Sequence, residues 1–426
     1  MLHPTLTEHQ SCSRRHVATP RVATWVIGTL LTLLGGACGE KDKSPDTATS
    51  PHDKAIIGSP TSYAGLAIAS VTADYSSSSL YFQGLKEGER DGEIKTLLTG
   101  ESGVPLPLTI EGKLYFFNRS ATSSNFRTLD PSAADGAPSA QTRTQDAGLG
   151  DPHAALKLSG DRLLLAHYTA GKLTVINPTD GSRVQEITAD WDLGTEAGAP
   201  FRPEALYLYK SGTKTEIYVV HQGRTADFSG FNGSQQLFVL EDDGKSLTVV
   251  DVDTNAAKVQ GIKLHILNPQ IIEAGSDPAK PIVAGFCTVF DQANPCTSGF
   301  ERVDLVARTS TLIYDTTTLS EKGNGRLVAG ADGTFYGAVA VANGTAYQSS
   351  IHTFDVTNST HSSFYEITDA NYASFALSYD DRAKRLYVGE KKDDGTGVFT
   401  IFNLAKDKAK SSFDLVLPPA ELAFIP

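Results

Sequence analysis

Beyond residue 60 the chain shows almost no helical periodicity. Apolar positions fall into short runs of β-branched and aromatic residues separated by Gly, Asn and Asp, the pattern of many small antiparallel strands. One element recurs at Leu80–Gln83, Leu114–Phe117, Leu163–Ala166, Ile217–Val220 and Leu386–Gly389. A polar turn follows it, and then a further strand such as Lys172–Asn177, Leu247–Asp251 or Val398–Asn403. Before it lies a more apolar leading strand. The leading strands are Val104–Ile110, His153–Leu158, Pro203–Tyr209, Pro269–Glu273, Arg326–Gly330, Ala373–Tyr379 and Glu421–Ile425. They begin about 45 to 65 residues apart, the spacing of a four-stranded propeller blade.

The last of these strands has nothing after it, while the N-terminal strands near Leu80 and Ile94 lack an inner partner. Pairing the two ends solves both problems. The expectation is an all-β fold, a seven-bladed β-propeller over residues 61–426, closed by pairing of the C-terminal inner strand with the N-terminal blade. Closure removes sheet edges that would otherwise recruit other chains. A large β-sandwich or a β-helix array is the alternative, but it leaves the orphan C-terminal strand unexplained. Asp180-Gly181, Asp243-Gly244, Asp332-Gly333 and Asp394-Gly395 read as tight turns, where Gly supplies positive φ. They lack the further oxygen ligands of a calcium loop.

The pattern Pro-x-Ala-Leu-x-Leu, Leu/Ile-Tyr-Val, Gly-x-Leu-x-Val-Ile-Asp/Asn resembles the YVTN-type propeller repeat. Pro152–Gly181 and Pro203–Val220 are its best copies, Asn371–Phe402 is a third, and the blade beginning at Pro269 fits it poorly. Such proteins include exported bacterial proteins and surface lipoproteins that assist uptake of siderophores or other iron compounds. The resemblance implies a fold more strongly than a function.

The N-terminus supplies an address. Arg14, Arg15 and Arg21 precede an apolar run from Val22 to Leu34, and Gly35, Gly36 and Ala37 lead to Cys38. A basic region, a short apolar run and small residues before a cut make an export signal, and the run is shorter than the roughly 20 residues of a membrane span. The ending Leu34–Cys38 resembles the lipobox of bacterial lipoproteins, with Gly35 standing where a leucine is usual. That resemblance implies acylation of Cys38, a signal peptide over 1–37 and a tether over 38–60. The alternative is a plain secretory signal. Residues 39–60 carry little apolar surface and suit a flexible linker. Gly39 is not the aspartate associated with inner-membrane retention, so the expected location is a lipid-anchored position in the cell envelope, at the outer membrane.

Charge narrows the partners. The formal charge is −12, and loss of residues 1–37 removes three basic residues and one acidic residue to leave −14. Nucleic acid and anionic headgroups need dense positive charge, so neither is an expected partner. Past Cys38 only Cys287 and Cys296 remain; in an oxidising compartment they read as a disulfide closing a small loop. A redox or metal pair, the alternative, lacks CxxC spacing and a neighbouring histidine.

In a propeller the loops into the inner strands and those joining second and third strands emerge together around the channel. The repeat alignment places Asn118 and Arg119, His167 and Tyr168, His221 to Arg224, and Glu390 to Lys392 just after second strands. His153, Arg202, Glu204 and Asn268 fall at the mouths of inner strands. The candidate ligand-binding residues are therefore Arg119, His153, His167, Tyr168, Arg202, Glu204, His221, Arg224, Phe231 and Lys391. Two rim loops are enlarged. One is His221–Gln236 with Phe228 and Phe231, whose glycines and asparagine favour mobility; the other is the Cys287–Cys296 loop with Phe290. These aromatics suit a flat or partly apolar partner, or else tuck back onto the blade. His153, His167 and His221 invite a metal reading, but no paired spacing or carboxylate cluster supports it, so no metal and no cofactor are expected. His352 and His361 read as ordinary surface or edge positions.

GxSxG, HExxH, GxxxxGKS/T and CxxCH are all absent from the chain. The preferred expectation is a non-enzymatic, lipid-anchored binding protein whose loop-rich rim captures a small ligand, such as a metal chelate, or docks on an outer-membrane transporter or other envelope protein. An enzyme of lactonase or lyase type requires His153, His167, His221, Arg202 and Glu204 to converge on one pocket. A structural or adhesive envelope component requires a broad flat surface.

Overall fold

Strand Gly65–Val71 is buried at all 7 positions and Leu163–His167 at all 5. Both sides of such strands must therefore meet apolar neighbours. Outer strands read differently: Thr309–Asp315 and Thr360–Glu366 are exposed along much of their length. That gradient, from doubly buried to solvent-facing, is what radially arranged sheets require. In the computed structural model the described residues are 65–425, apart from 73–75, 85–93, 102–103, 111–112, 121–122, 130–141, 144–149, 195, 197, 286–298, 316–320, 344–345, 368–371, 393 and 407–408. The expected signal peptide, the tether with Cys38, and the Cys287–Cys296 disulfide loop lie outside the described residues.

The strands form seven antiparallel sheets, each a blade. Blade I runs from the channel outward as Pro419–Ile425, Gly65–Val71, Ser78–Gly84 and Ile94–Glu101. Blade II is Val104–Ile110, Lys113–Ser120, Ser123–Leu129 and the short Thr142–Arg143. Blade III is Pro152–Lys157, Leu163–His167, Lys172–Ile176 and Arg183–Ile187. Blade IV is Pro203–Ser211, Lys214–His221, Gln236–Asp242 and Leu247–Val250, with Ile262–Lys263 also pairing on Gln236–Asp242. Blade V is Pro269–Glu273, Ile282–Gly285, Gly299–Asp304 and Thr309–Asp315. Blade VI is Glu321–Ala329, Thr334–Asn343, Ala346–Asp355 and Thr360–Glu366. Blade VII is Tyr372–Asp380, Arg385–Lys391, Gly397–Asn403 and Ala409–Leu415. Each inner strand touches the next around the circle, from Pro419–Ile425 through Val104–Ile110 and back to Tyr372–Asp380.

The ring closes as expected, with Gly65 opposite Ile425 and Leu66 opposite Phe424 in antiparallel register. One expectation needs correction. The recurring element at Leu80–Gln83 aligns in sequence with the second strand, yet it is the third strand of its blade, because Gly65–Val71 occupies the second place. Gly65–Val71 lacks the polar alternation that marks a half-exposed strand, being apolar on both sides.

The core is divided among the blade junctions, and side-chain alternation does the dividing. On Lys214–His221, Ile217 and Val219 face blade III, whereas Tyr218 and Val220 face blade V. On Leu163–His167, Leu164 and Ala166 face blade IV, while Leu163 and Leu165 face blade II. Leu66 and Ile68 pack on blade VII, and Ala67 and Ala69 on blade II. A one-residue slip of any such strand would exchange two interfaces at once.

Charges also tie blades together. Arg162, between the first two strands of blade III, places Nη2 2.7 Å from Oδ1 of Asp242 in blade IV, with the side chains 9% and 3% exposed. Removing one member of a buried pair strands the other charge, so Asp242→Ala is expected to lose about 3 kcal/mol of stability. Urea unfolding would measure this, and a loss below about 1 kcal/mol would count against a buried, energetically coupled pair. His352 is a second correction: it is buried, and its Nδ1 lies 2.9 Å from Nδ1 of His361 on the neighbouring strand.

Candidate functional site

The inner strands of blades III and IV begin at Pro152 and Pro203, and the residues beside those prolines build a polar cluster on the rim. Asp151 precedes Pro152 with a positive φ of 62°, and Asn268 holds φ 52° in the same place before Pro269. Asp and Asn tolerate this left-handed region better than most side chains. The turn is fixed by the Tyr168 N–H donating to the Asp151 carbonyl at 3.0 Å, and the Thr169 hydroxyl donates to the Asp151 carboxylate at 2.7 Å.

His153 is clamped at both ring nitrogens. Nδ1 is 2.8 Å from Glu204 Oε2 and Nε2 is 3.1 Å from Asp151 Oδ2. Carboxylates at both nitrogens accept two hydrogen bonds only from a doubly protonated ring. Burial disfavours the imidazolium, but the Glu204 charge and the bonds to Asp151 and Glu204 outweigh it, and the His153 pKa is raised. Burial likewise opposes the Asp151 charge, yet His153, Arg119 and Thr169 hold its pKa down at about 2. The His153 ring stacks on Tyr168 at 4.1 Å between centroids, 14° from parallel.

Around this core stand three arginines. Arg119, at the end of the second strand of blade II, is 3.6 Å from Asp151. Arg202 is buried and donates to the carbonyls of Tyr168 at 3.2 Å and Thr169 at 3.1 Å, joining the loops of blades III and IV. Its guanidinium lies 4.3 Å from the Phe228 ring centre and 5.3 Å from that of Tyr168. Arg224 lies 4.8 Å over Phe231. The Tyr168 hydroxyl donates to Gln222.

The enlarged loop between His221 and Gln236 is organised from within. Arg224 and Phe231 form an antiparallel bridge, the Gly230 N–H donates to Thr225 Oγ1, and the Ser229 N–H donates to Asp227 Oδ1. Phe231 is half-buried beneath the Arg224 guanidinium of its own loop, while Phe228 stands 45% exposed. Phe290 lies outside the described residues.

The structure thus gathers Arg119, His153, Tyr168, Arg202, Glu204, Arg224 and Phe231 around three neighbouring blades. It does not bring in His167, His221 or Lys391. His167 points into its blade, with Nε2 2.8 Å from Thr174 Oγ1. His221 is buried beside Phe201 and Phe238, accepts the Arg202 N–H at Nδ1 and meets Ser234 at Nε2. Burial drives its pKa down to about 3, so it stays neutral. Lys391 ends the second strand of blade VII, on a different part of the ring. The convergence of three histidines that the enzymatic reading requires is therefore not seen. Asp151 was missed in the sequence; an Asp immediately before the proline that opens a leading strand was its available signal.

Three solved structures share the architecture. A Lactobacillus plantarum protein is 11% identical with a TM-score of 0.55, and the match covers 86% of this chain and 100% of that one. A putative 6-phosphogluconolactonase from Bacteroides uniformis is 13% identical with a TM-score of 0.52, covering 85% and 100%. The periplasmic gluconolactonase of Pseudomonas aeruginosa is 14% identical with a TM-score of 0.53, covering 86% and 99%. This chain has their fold. The sequences have diverged too far for the likeness to carry a function. No family model matches the chain, and no curated protein matches it in sequence.

The clamp makes a pH prediction. Asp151 has a depressed folded pKa, so its contribution is present above the unfolded value and fades as pH falls through about 2. His153 has a raised folded pKa, so its contribution is complete below the unfolded value and fades as pH rises through the folded one. Glu204→Gln removes the charge facing His153, and the alkaline decline should become shallower than in wild type. Thermal melts across neutral and mildly alkaline pH would show it; parallel profiles would mean that the clamp does not couple to folding.

Proposed function

We propose that this protein is an exported, lipid-anchored binding propeller, tethered through Cys38 at the outer membrane, that captures a small ligand or docks an envelope protein on the rim of blades II to IV. The observation that supports this reading is the His153 clamp with its flanking arginines and aromatics. Charged and aromatic groups from three neighbouring blades meet on one rim, a setting that suits a ligand. A ring held at both nitrogens has no lone pair with which to accept a proton. The resting site therefore suits recognition better than general-base chemistry. Names of lactonases among the structural neighbours supply no catalytic residue here.

Capture of the tagged full-length protein from gently solubilised membranes tests the proposal. Cys38→Ala should move the protein out of the membrane fraction. Shortening residues 222–235 should abolish recovery of a transporter, or of a bound small molecule detected by mass spectrometry. Interactions that survive loss of that loop and of the Glu204 carboxylate would remove the rim as the site. A transporter recovered in near-equal amount would identify an uptake accessory.

A further inference from the structure

We infer that the rim takes a small-molecule oxyanion, a carboxylate or phosphoryl group, on the Arg202 guanidinium once the Phe228 ring moves off it; this rests on the binding reading above. Arg202 is only 4% exposed, and its Nε is a buried donor without a hydrogen-bond partner. Its Nη1 serves the Tyr168 and Thr169 carbonyls. The two nearby carboxylates are engaged elsewhere, since Glu204 and Asp151 both hold His153. Arg202 therefore forms no ion pair among the described residues. A buried guanidinium with an idle donor and no carboxylate at ion-pair distance is unfavourable unless an acceptor arrives. Arg119 repeats the theme on the other side of Asp151, with its own Nε buried and unbonded and its ion-pair distance a long 3.6 Å.

Phe228 is the cover. It holds a positive φ of 62°, a costly conformation for a bulky side chain, and the residue is 45% exposed. Little apolar burial repays that backbone. The ring lies 4.3 Å from the centre of the Arg202 guanidinium, and its displacement would let an oxyanion approach the in-plane N–H donors, whose charge-assisted hydrogen bonds are stronger than a cation–π contact.

Calorimetric titration of the full-length protein in detergent with inorganic phosphate, and separately with acetate, tests this. Saturable binding of either anion is expected; the stronger one identifies the phosphoryl or the carboxylate source. Phe228→Ala should tighten binding, because less free energy is spent uncovering the site. Arg202→Lys should weaken it at least about tenfold. Should Arg202→Lys fail to fold, Phe228→Ala still decides, since its ring is outside the core. Absence of saturable anion binding in Phe228→Ala, or unchanged affinity in folded Arg202→Lys, overturns the inference. A neutral compound held at the rim by wild type and Arg202→Lys alike would overturn it while leaving the binding reading intact. Failure of the binding reading itself would show instead as captured partners that ignore the whole rim.

Discussion

Deletion of Pro419–Ile425 is expected to yield aggregated, unfolded protein. This strand is the inner member of blade I, although it comes from the far end of the chain. Its Leu422 and Phe424 fill the junction with blade VII, and Ala423 fills the junction with blade II. The Thr109 hydroxyl of blade II donates to the Phe424 carbonyl at 2.7 Å. Without the strand, Gly65–Val71 becomes an apolar sheet edge with unpaired backbone groups, a template for pairing with other chains. The inner ring is also broken on both sides. Soluble yield, size-exclusion profile and far-ultraviolet circular dichroism of the truncated chain would measure the effect. A soluble monomer that melts with the wild type would show that closure contributes little.

Phe238→Ala is expected to destabilise by about 3–5 kcal/mol, the range for emptying a buried aromatic position. Phe238 is fully buried between blades III and IV. Its ring lies 4.7 Å from Trp191, 5.7 Å from Phe201 and 5.8 Å from His221. The fixed surroundings cannot close over the space, since the flanking strands are held by hydrogen bonds in both blades. The effect should reach the rim as well. Phe201 immediately precedes Arg202, and His221 accepts the Arg202 backbone N–H. A loosened Phe201–His221 contact would free Arg202 from its seat. Urea unfolding gives the stability change, and Trp191 fluorescence should shift as its packing opens. Loss of less than about 1 kcal/mol would mean that the junction re-packs. The contrast with Phe228 is instructive: same side chain, same blade, but exposed, so its truncation should leave stability nearly unchanged.

Much of the candidate site was legible because rim positions follow from the repeat. Arg119, His153, Tyr168, Arg202 and Glu204 come from aligned places on neighbouring blades, and neighbours in the repeat are neighbours in the ring. His167 and His221 fall one residue short of the rim. The last residue of a second strand still turns its side chain into the blade, while the next, Tyr168 or Gln222, belongs to the rim. Lys391 occupies an equivalent position in the repeat but a different angle around the axis, so equivalence does not make it a neighbour. His352 and His361 lie on strands that pair side by side, Ala346–Asp355 and Thr360–Glu366; polar residues on adjoining strands read as edge positions until the register sets one against the other.

By itself the sequence determined the number of blades, the leading strands and the closure by the C-terminal strand. Strand periodicity and repeat spacing are local quantities, and an unpaired strand at each end leaves one economical solution. Tertiary structure decided the rest: that Gly65–Val71 rather than Leu80–Gln83 stands second in blade I, that Asp151 completes the His153 clamp, and that Phe228 lies over Arg202. Each depends on which side chains meet across blades. Distances between residues far apart in the chain are set by packing and backbone conformation, and no local pattern of hydrophobic and polar residues encodes them.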